Sequence, residues 1–228
     1  QLEARVAGLR KHPEGFVRVI AIYSSGIDLL SRIREKFEAQ HEKVSVEIRY
    51  ERPEQVYNAV RENECDMGIV SYPERWRKVD SIPLRDEAMV VVCNPRHKVA
   101  QKQTIEVKDL EAFEMVTFDA DLPVGRRIRE YLNIDTIKGA LAVTEQISIL
   151  PRRTVIREVT AGSLAMVQMS PELTRPLGVI FRRRSRNGAA FAPAAQEFVD
   201  FLVAHAGPEV DTEGFIEREG NALMGAGI

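Results

Sequence analysis

An alternation of strand and helix patterns over residues 16–70 constrains the fold more than any other feature of the sequence. The strand patterns, rich in β-branched residues, are residues 16–22, 44–48 and 66–70. The helix patterns between them start near Ser24 and Ser25, both good N-cap residues, and at Pro53, which suits a first helical turn. Strand–helix–strand–helix–strand in so short a segment predicts a parallel-sheet α/β unit.

The second half of the chain repeats this alternation. Further strands are predicted at residues 88–93, 115–118, 147–150, 164–168 and 177–181. Helices are predicted at residues 107–110, 124–132, 134–143, 151–161 and 194–205, with Gly162 ending the fourth of them. Because no Gly/Ser-rich linker separates the halves, the sequence predicts two α/β lobes of similar size.

The composition is that of a globular protein without a strong charge bias. Hydrophobic residues make up 44% and charged residues 29%, and the net charge of −2 gives no overall attraction to nucleic acid. No stretch approaches the roughly 20 apolar residues of a membrane helix, and the N-terminus lacks the apolar core of a secretory signal. We therefore expect a cytoplasmic protein without a membrane partner, although an exported protein that has lost its signal would look the same.

Residues that commonly carry chemistry are few. Cys65 and Cys93 match no metal-ligand spacing, so two buried, reduced thiols are the favoured interpretation, with a disulfide or a redox switch as the alternative. The four histidines are scattered, and we expect neither a metal nor a cofactor. Since no catalytic motif such as G-x-S-x-G or H-E-x-x-H occurs, the sequence predicts a protein that is not an enzyme.

The two ends of the chain and one internal junction differ from the rest. Residues 1–14 hold a short apolar helical stripe, which indicates the end of a longer helix. Residues 207–228 carry few core residues and indicate a loosely held extension. Between Leu132 and Asn133 two helical patterns meet without turn chemistry, which suggests that a stretch of sequence is missing there.

Five segments of the chain carry a family pattern in a fixed order. They are residues 15–19, 66–70, 90–100, 133–137 and 149–151. The third is similar to a V-x-x-x-x-H-P-L-A crossing between lobes, with Lys98 where proline is usual, and the last two are similar to an N-x-x-T-I…L-P signature. Together the segments resemble the effector-binding domain of LysR-type transcriptional regulators.

The resemblance implies an α/β fold with two Rossmann-like lobes and crossover strands, of the type 2 periplasmic-binding-protein-like kind. Residues 1–14 would end a linker helix, lobe I would comprise residues 15–92 and 182–206, lobe II would comprise residues 93–181, and residues 207–228 would be a C-terminal extension.

The same resemblance implies a function. The chain would sense a small, anionic effector in the interlobe cleft, as part of a homodimer that becomes a tetramer in the full-length protein. DNA would be bound by an N-terminal winged helix-turn-helix that is missing from this chain. Two alternatives stay open: a free-standing solute-binding protein of a transporter, monomeric and exported, and, more remotely, an enzyme on the same fold.

Candidate effector contacts in lobe I follow the predicted strands, because a parallel sheet binds ligands beyond the carboxyl ends of its strands. Ser24 and Ser25 would hold an anion at a helix N-terminus, or one of them would only cap the helix. Pro53 stands where the family often has a small hydroxyl residue, and Arg52 would supply a forked cationic contact or be simply solvated. Ser71 follows the third strand.

In lobe II the candidate contacts are Thr117, Phe118, Asp119 and Thr144. The first three lie at the end of a predicted strand, and a core position is the alternative for Phe118. Thr144 and Gln146 stand where the family has glycines, so this lobe is expected to shape its half of the pocket differently from its relatives.

Overall fold

The computed structural model describes residues 15–116, 134–183 and 190–206, and these form two compact units. The first unit contains residues 15–85, 176–183 and 190–206, and the second contains residues 86–116 and 134–175. The chain therefore leaves the first unit between Arg85 and Asp86 and returns to it between Arg175 and Pro176. From the sequence these changes were expected at 92/93 and 181/182.

Strands and helices alternate along the described residues. The strands are β1 Gly15–Ile22, β2 Val44–Glu51, β3 Met67–Ser71, β4 Val79–Cys93, β5 Thr104–Glu106, β6 Ile147–Pro151 and β7 Ala165–Arg182. The α-helices are α1 Tyr23–Gln40, α2 Pro53–Arg61, α3 Ile134–Val143, α4 Ile156–Thr160 and α5 Pro193–His205. Short 3-10 helices cover Lys98–Gln101, Val107–Ala112 and Arg152–Thr154.

The first unit is built on a sheet in the order β2-β1-β3-β7. β1 is parallel to both β2 and β3, while β7 is antiparallel to β3. Successive side chains of β1 point to opposite faces, so Val19 joins a core with Phe37 of α1 and Phe198 of α5, whereas Ile20 joins a second core with Val56 of α2. Both faces of the sheet are covered, as is usual for parallel strands.

The second unit pairs β4 with β6 in antiparallel register and β5 with β7 in parallel register. Its two apolar clusters again separate by strand face: Val91 and Cys93 of β4 pack with Ile105 and Val167, while Val90 and Val92 pack with α3 and α4. The α/β fold class expected from the sequence is confirmed, with both halves of the chain alternating strands and helices.

The prediction that Ser24 or Ser25 caps the first helix was wrong. Helix α1 begins at Tyr23, the extended residue Ile22 occupies the N-cap position, and that position supplies no side-chain cap. The reason is that β1 runs directly into the helix, which leaves no turn for a serine to occupy. Both serines consequently lie inside the first helical turn, with their backbone N–H groups among the donors that have no partner within the helix.

Two predicted strands at residues 164–168 and 177–181 were wrong as separate elements, because β7 runs through both as one strand of 18 residues. Likewise β4 begins at Val79, well before the predicted start at residue 88. For the predicted strand at residues 115–118, Met115 forms a single bridge to Ile147. Residues 117 and 118, and the helix predicted at residues 124–132, lie outside the described residues.

Candidate functional site

Three turns meet at one edge of the first unit, where β1, β2 and β3 end. The register pairs Ile22 with Glu51 and Ala21 with Ile69, so these parallel strands finish side by side. Since adjacent strands lie about 4.8 Å apart, the residues that follow them share one small region. This carboxyl edge is where an open parallel sheet binds ligands.

Of the three turns at this edge, the start of α1 is the best suited to bind an anion. The helix has 18 residues, its first turn holds no acidic residue, and its N-cap residue makes no side-chain cap hydrogen bond. Its first N–H groups and the positive end of its dipole therefore favour an anion. Ser24 lies here with its side chain half-buried, while the side chain of Ser25 lies outside the described part of the structure.

The start of α2 is less suited to an anion, because side chains of the helix itself already interact with its N-terminus. The backbone N–H of Arg52 donates to Gln55 Oε1 at 3.3 Å, and Glu54 places a carboxylate in the first turn. Pro53 occupies the first helical position and has no N–H to offer. Arg52 is exposed and supplies positive charge at the same edge.

A pair of stacked tyrosines adjoins the start of α1. Tyr23 and Tyr50 have ring centroids 5.9 Å apart with an interplanar angle of 30°. Burial raises the pKa of Tyr50, against a hydrogen bond to Ser31 and the charge of Arg34, which lower it. Tyr50 is therefore neutral at physiological pH. This pair is not predicted from the sequence, because the strand pattern at residues 44–48 stops before Tyr50, whereas β2 extends to Glu51.

The third strand ends in an unusual backbone conformation. Ser71 closes β3 and pairs with Leu177, and the next residue, Tyr72, has a φ of 48°. Its N–H donates to Pro176 O at 2.8 Å, which fixes the turn. A residue before proline ordinarily has extended backbone, so the Tyr72-Pro73 pair gave no sign of this geometry in the sequence.

Thr144 has a local role in the second unit. Its hydroxyl donates to Ala140 O at 2.9 Å and accepts from the Gln146 N–H at 3.4 Å, so it closes the C-terminal turn of α3. A hydroxyl can donate only one hydrogen bond, and the Thr144 hydroxyl donates it to Ala140 O of the helix. The other three candidates of this lobe, Thr117, Phe118 and Asp119, lie outside the described residues.

The structure also explains how lysine is accommodated at position 98, where the family pattern has proline. Its Nζ lies 4.8 Å from the centroid of the Phe113 ring, a cation–π contact, and the His97 ring meets the same ring edge-on at 5.5 Å. His97 Nδ1 accepts from the Val99 N–H at 3.2 Å and caps the short 3-10 helix. Lysine is thus accommodated by contact with Phe113. Within the ranges that the structure covers, no group of three or more metal-ligating side chains occurs.

Comparison with known proteins agrees with the fold described above. A family model described as "LysR substrate binding domain" matches residues 10–207. The chain belongs to this family. Its members are the ligand-sensing regulatory domains of LysR-type transcription regulators.

The relatives of this LysR domain are regulators. The chain is 22% identical over 238 residues to the uncharacterized HTH-type transcriptional regulator YbhD of Escherichia coli K12, covering 97% of the chain and 74% of that protein. It is 26% identical over 202 residues to the regulator CbbR of Rhodospirillum rubrum, covering 82% of the chain and 65% of that protein. The chain thus spans about two thirds to three quarters of these two relatives.

Solved structures share the fold at low sequence identity. The effector-binding domain of QuiR in complex with shikimate is 18% identical with a TM-score of 0.69, covering 85% of this chain and 98% of that one. The reduced form of OxyR is 16% identical with a TM-score of 0.73, covering 87% of this chain and 98% of that one. No helix among the described residues is long and apolar enough to cross a membrane.

Proposed function

We propose that this LysR domain senses a small anion at the carboxyl edge of its first unit, at the start of α1. The observation that carries the proposal is a long helix that leaves β1 directly, without a side-chain cap and without an acidic residue in its first turn. The donors of that turn suit a carboxylate or a phosphate. The QuiR domain, which has the same fold, was solved with shikimate, a carboxylate.

In this proposal Ser24 and Ser25 are the main contacts, through their N–H groups and hydroxyls. Arg52 and Ser71, which follow β2 and β3 at the same edge, are secondary contacts. Pro53 contributes shape and no donor. Thr144 is a weaker candidate, because its hydroxyl already serves the end of α3 and a helix C-terminus repels anions. Thr117, Phe118 and Asp119 stay predictions.

A thermal-shift screen of small anions tests the site. A ligand that binds only the folded state raises the melting temperature. At a ligand concentration of a hundred times Kd, it raises the free energy of unfolding by about 2.7 kcal/mol. We expect Ser24→Ala and Ser25→Ala to weaken binding by roughly 10- to 100-fold, since each removes a hydrogen bond to a charged group. Ser45→Ala is the matched control, because Ser45 is exposed on β2 away from the carboxyl edge. Equal shifts in all three variants would remove α1 from the site.

The wider role is also part of the proposal. The family binds effectors and DNA and acts as oligomers. We propose that this chain regulates a helix-turn-helix DNA-binding domain of the kind named for its relative YbhD, as a homodimer that becomes a tetramer in the full-length protein. Ligand binding without turnover is expected. An effector changes DNA binding only if it favours one of two arrangements of the protein over the other.

Sedimentation velocity tests the proposed dimer directly. We expect the 228-residue chain to sediment at about twice its mass of 25.7 kDa at high protein concentration. A strictly monomeric species over the whole concentration range would favour a solute-binding protein of a transporter over a regulator.

A further inference from the structure

The C-terminal ends of α1 and α5 carry the same short pattern, a phenylalanine followed four residues later by a histidine. In both helices the histidine ring stacks on its phenylalanine. The centroids of Phe37 and His41 lie 4.1 Å apart with an interplanar angle of 18°, and those of Phe201 and His205 lie 3.8 Å apart with an angle of 20°. Phe37 also meets Phe201 edge-on at 5.3 Å. A cluster of four rings therefore joins the two helix ends.

Both histidine rings also bond to the backbone of their own helix. Nδ1 of His41 lies 3.0 Å from Phe37 O, and Nδ1 of His205 lies 2.8 Å from Phe201 O. Because a carbonyl oxygen can only accept, each Nδ1 carries a hydrogen and donates it. The other ring nitrogen, Nε2, then has a lone pair in the neutral imidazole and a second hydrogen in the imidazolium.

The surroundings of Nε2 distinguish the two histidines. Nε2 of His41 lies 3.2 Å from Oε2 of Glu197, on α5. Since an ionised carboxylate can only accept, His41 faces an acceptor at each ring nitrogen, and only the imidazolium satisfies both. The His41 side chain is 19% exposed, so water has limited access to it. Among the described residues, no acidic side chain forms an ion pair with His205.

The segments around His41 supply further charged side chains. They are Glu38 of α1, Glu42 and Lys43 of the turn that follows it, and Asp200 and His205 of α5. Oε1 of Glu38 accepts from a backbone N–H of β2 at 2.7 Å, and Oδ1 of Asp200 accepts from a glutamine of its own helix at 3.0 Å. Glu42 and Lys43 are exposed to solvent. The carboxylate in contact with a ring nitrogen of His41 is thus the one on α5.

We propose that His41 and Glu197 form a pH-dependent clamp between α1 and α5. Histidine side chains change charge between about pH 5 and 8. In the acidic part of this range the imidazolium donates to Phe37 O and Glu197 together, and the negative end of the α1 dipole favours its charge. As pH rises, loss of the second hydrogen leaves a lone pair facing a carboxylate. The stabilisation from the clamp is therefore present at the acidic end of the range and lost towards the alkaline end.

The clamp is independent of the anion site proposed above. α1 has 18 residues, so its two ends lie about 27 Å apart. The anion site is at the start of the helix, and the clamp is at its end.

A double-mutant cycle measured at two pH values tests the clamp. Glu197→Gln keeps the size of the side chain and removes its charge, while His41→Phe keeps a stacking ring and removes both nitrogens. Melting temperatures of the wild type, the single variants and the double variant are compared at about pH 6 and about pH 8.5. One protein concentration is used throughout, because dimerisation alters apparent stability.

We expect Glu197→Gln to lower the melting temperature by about 1–3 °C at the lower pH and by less than about 1 °C at the higher pH. The effects of Glu197→Gln and His41→Phe should be non-additive at the lower pH, because the two residues share one contact, and additive at the higher pH.

His205→Phe is the matched control. His205 has the same stacked phenylalanine, the same bond to a carbonyl and the same position at a helix C-terminus, but no carboxylate contact among the described residues. Its effect should add to that of Glu197→Gln at both pH values. Any pH dependence that His205→Phe shows by itself measures the influence of a helix C-terminus on histidine, without the clamp.

Non-additivity of the His41 and Glu197 variants that is present at the lower pH and absent at the higher pH would support the clamp. Equal non-additivity at both values would show a contact that does not respond to pH, and additivity at both would show no contact, so either result refutes the proposal. If His41→Phe does not fold, Glu197→Gln alone decides: a melting-temperature difference from the wild type that is the same at both pH values refutes the clamp.

Discussion

At the scale of single residues, the space around a glycine decides whether the protein tolerates its replacement by alanine. Gly68 of β3 is enclosed: an added Cβ would lie 2.5 Å from Val56 Cγ1 and 2.9 Å from Ile180 Cγ1. Gly139 of α3 has no atom within 4 Å of the same position. The two glycines are thus a matched pair, one buried in the sheet and one exposed on a helix.

We expect Gly68→Ala to lower the free energy of unfolding by about 1–3 kcal/mol, because both neighbouring side chains must move. Gly139→Ala should raise it by roughly 0.5–1 kcal/mol, since alanine loses less entropy than glycine in a helix. Urea unfolding followed by circular dichroism measures both. Similar effects of the two substitutions would contradict the packing described for β3.

The reactivity of the two cysteines also depends on the surroundings of each residue. Cys65 lies in the core under α2 in the first unit, and Cys93 lies in a core of the second. Burial, with the charge of Asp66, raises the pKa of Cys65 to about 12, and burial raises that of Cys93 to about 11. Neither forms a disulfide. The thiolate, which is the reactive form, is therefore scarce at neutral pH.

We expect both thiols to react slowly with a thiol reagent such as DTNB in the folded chain and quickly in denaturant. Hydrogen peroxide should leave the melting temperature and the free-thiol count unchanged. OxyR, which shares the fold, has been solved in oxidized and reduced forms. Rapid loss of a thiol under native conditions would show that this chain shares such a response.

At the scale of elements, Lys138 ties two helical segments of the second unit together. Its Nζ lies 2.7 Å from Glu158 Oε1 of α4, 2.9 Å from Asp135 Oδ1 of α3 and 3.2 Å from Thr154 O. Burial lowers the pKa of Lys138, but the bonds to Glu158 and Asp135 raise it by more, so the pKa is raised above its ordinary value. The stabilisation is thus fully present below the pKa of the unfolded chain.

We expect Lys138→Met to lower the free energy of unfolding by about 1.5–3 kcal/mol at pH 7, because it removes bonds between charged groups. Since a raised lysine pKa gives stability that is lost as pH rises through the folded-state pKa, the wild type should lose this advantage in alkaline solution above roughly pH 10. Chemical unfolding of both proteins at pH 7–11 measures the difference. A difference in the free energy of unfolding that stays constant over that pH range would contradict the ion-pair role of Lys138.

At the scale of the whole molecule, β4 and β7 carry the chain from one unit to the other and back. Beside these crossings Glu87 of β4 and Arg175 of β7 form an ion pair, 2.5 Å from Oε2 to Nη2, with exposures of 2% and 7%. A second, exposed ion pair joins Asp80 of β4 to Arg183, the residue that follows β7. Burial is the main difference between the pairs.

We expect Arg175→Met to destabilise the protein by about 3–5 kcal/mol, because it removes one partner of a buried ion pair and keeps the charge of the other, Glu87, buried. The double variant Glu87→Leu/Arg175→Met should recover most of that loss, since it leaves no buried charge. Arg183→Ala should change little, because water screens the exposed pair. Differential scanning calorimetry of the four proteins checks this order, and a double variant as unstable as the single one would refute it.

The sequence by itself determined the alternation of strands and helices and the family. These follow from local patterns: β-branched residues 16–22, the apolar face of α1 and the short motifs near His97 and Pro151. They also correctly placed the start of α2 at Pro53.

Only the tertiary structure decided which of the polar residues are used by the fold itself. Ser24 lies within the first turn because β1 runs straight into α1, and Thr144 spends its proton on Ala140. Tyr72 has a left-handed backbone in a turn that is held by the bond from its N–H to Pro176 O, in a distant part of the chain. The Tyr72 conformation depends on a contact between residues far apart in the chain, which local sequence patterns do not encode. The roles of Ser24 and Thr144 depend on the residue at which a helix begins or ends, which sequence patterns locate only to within a few residues.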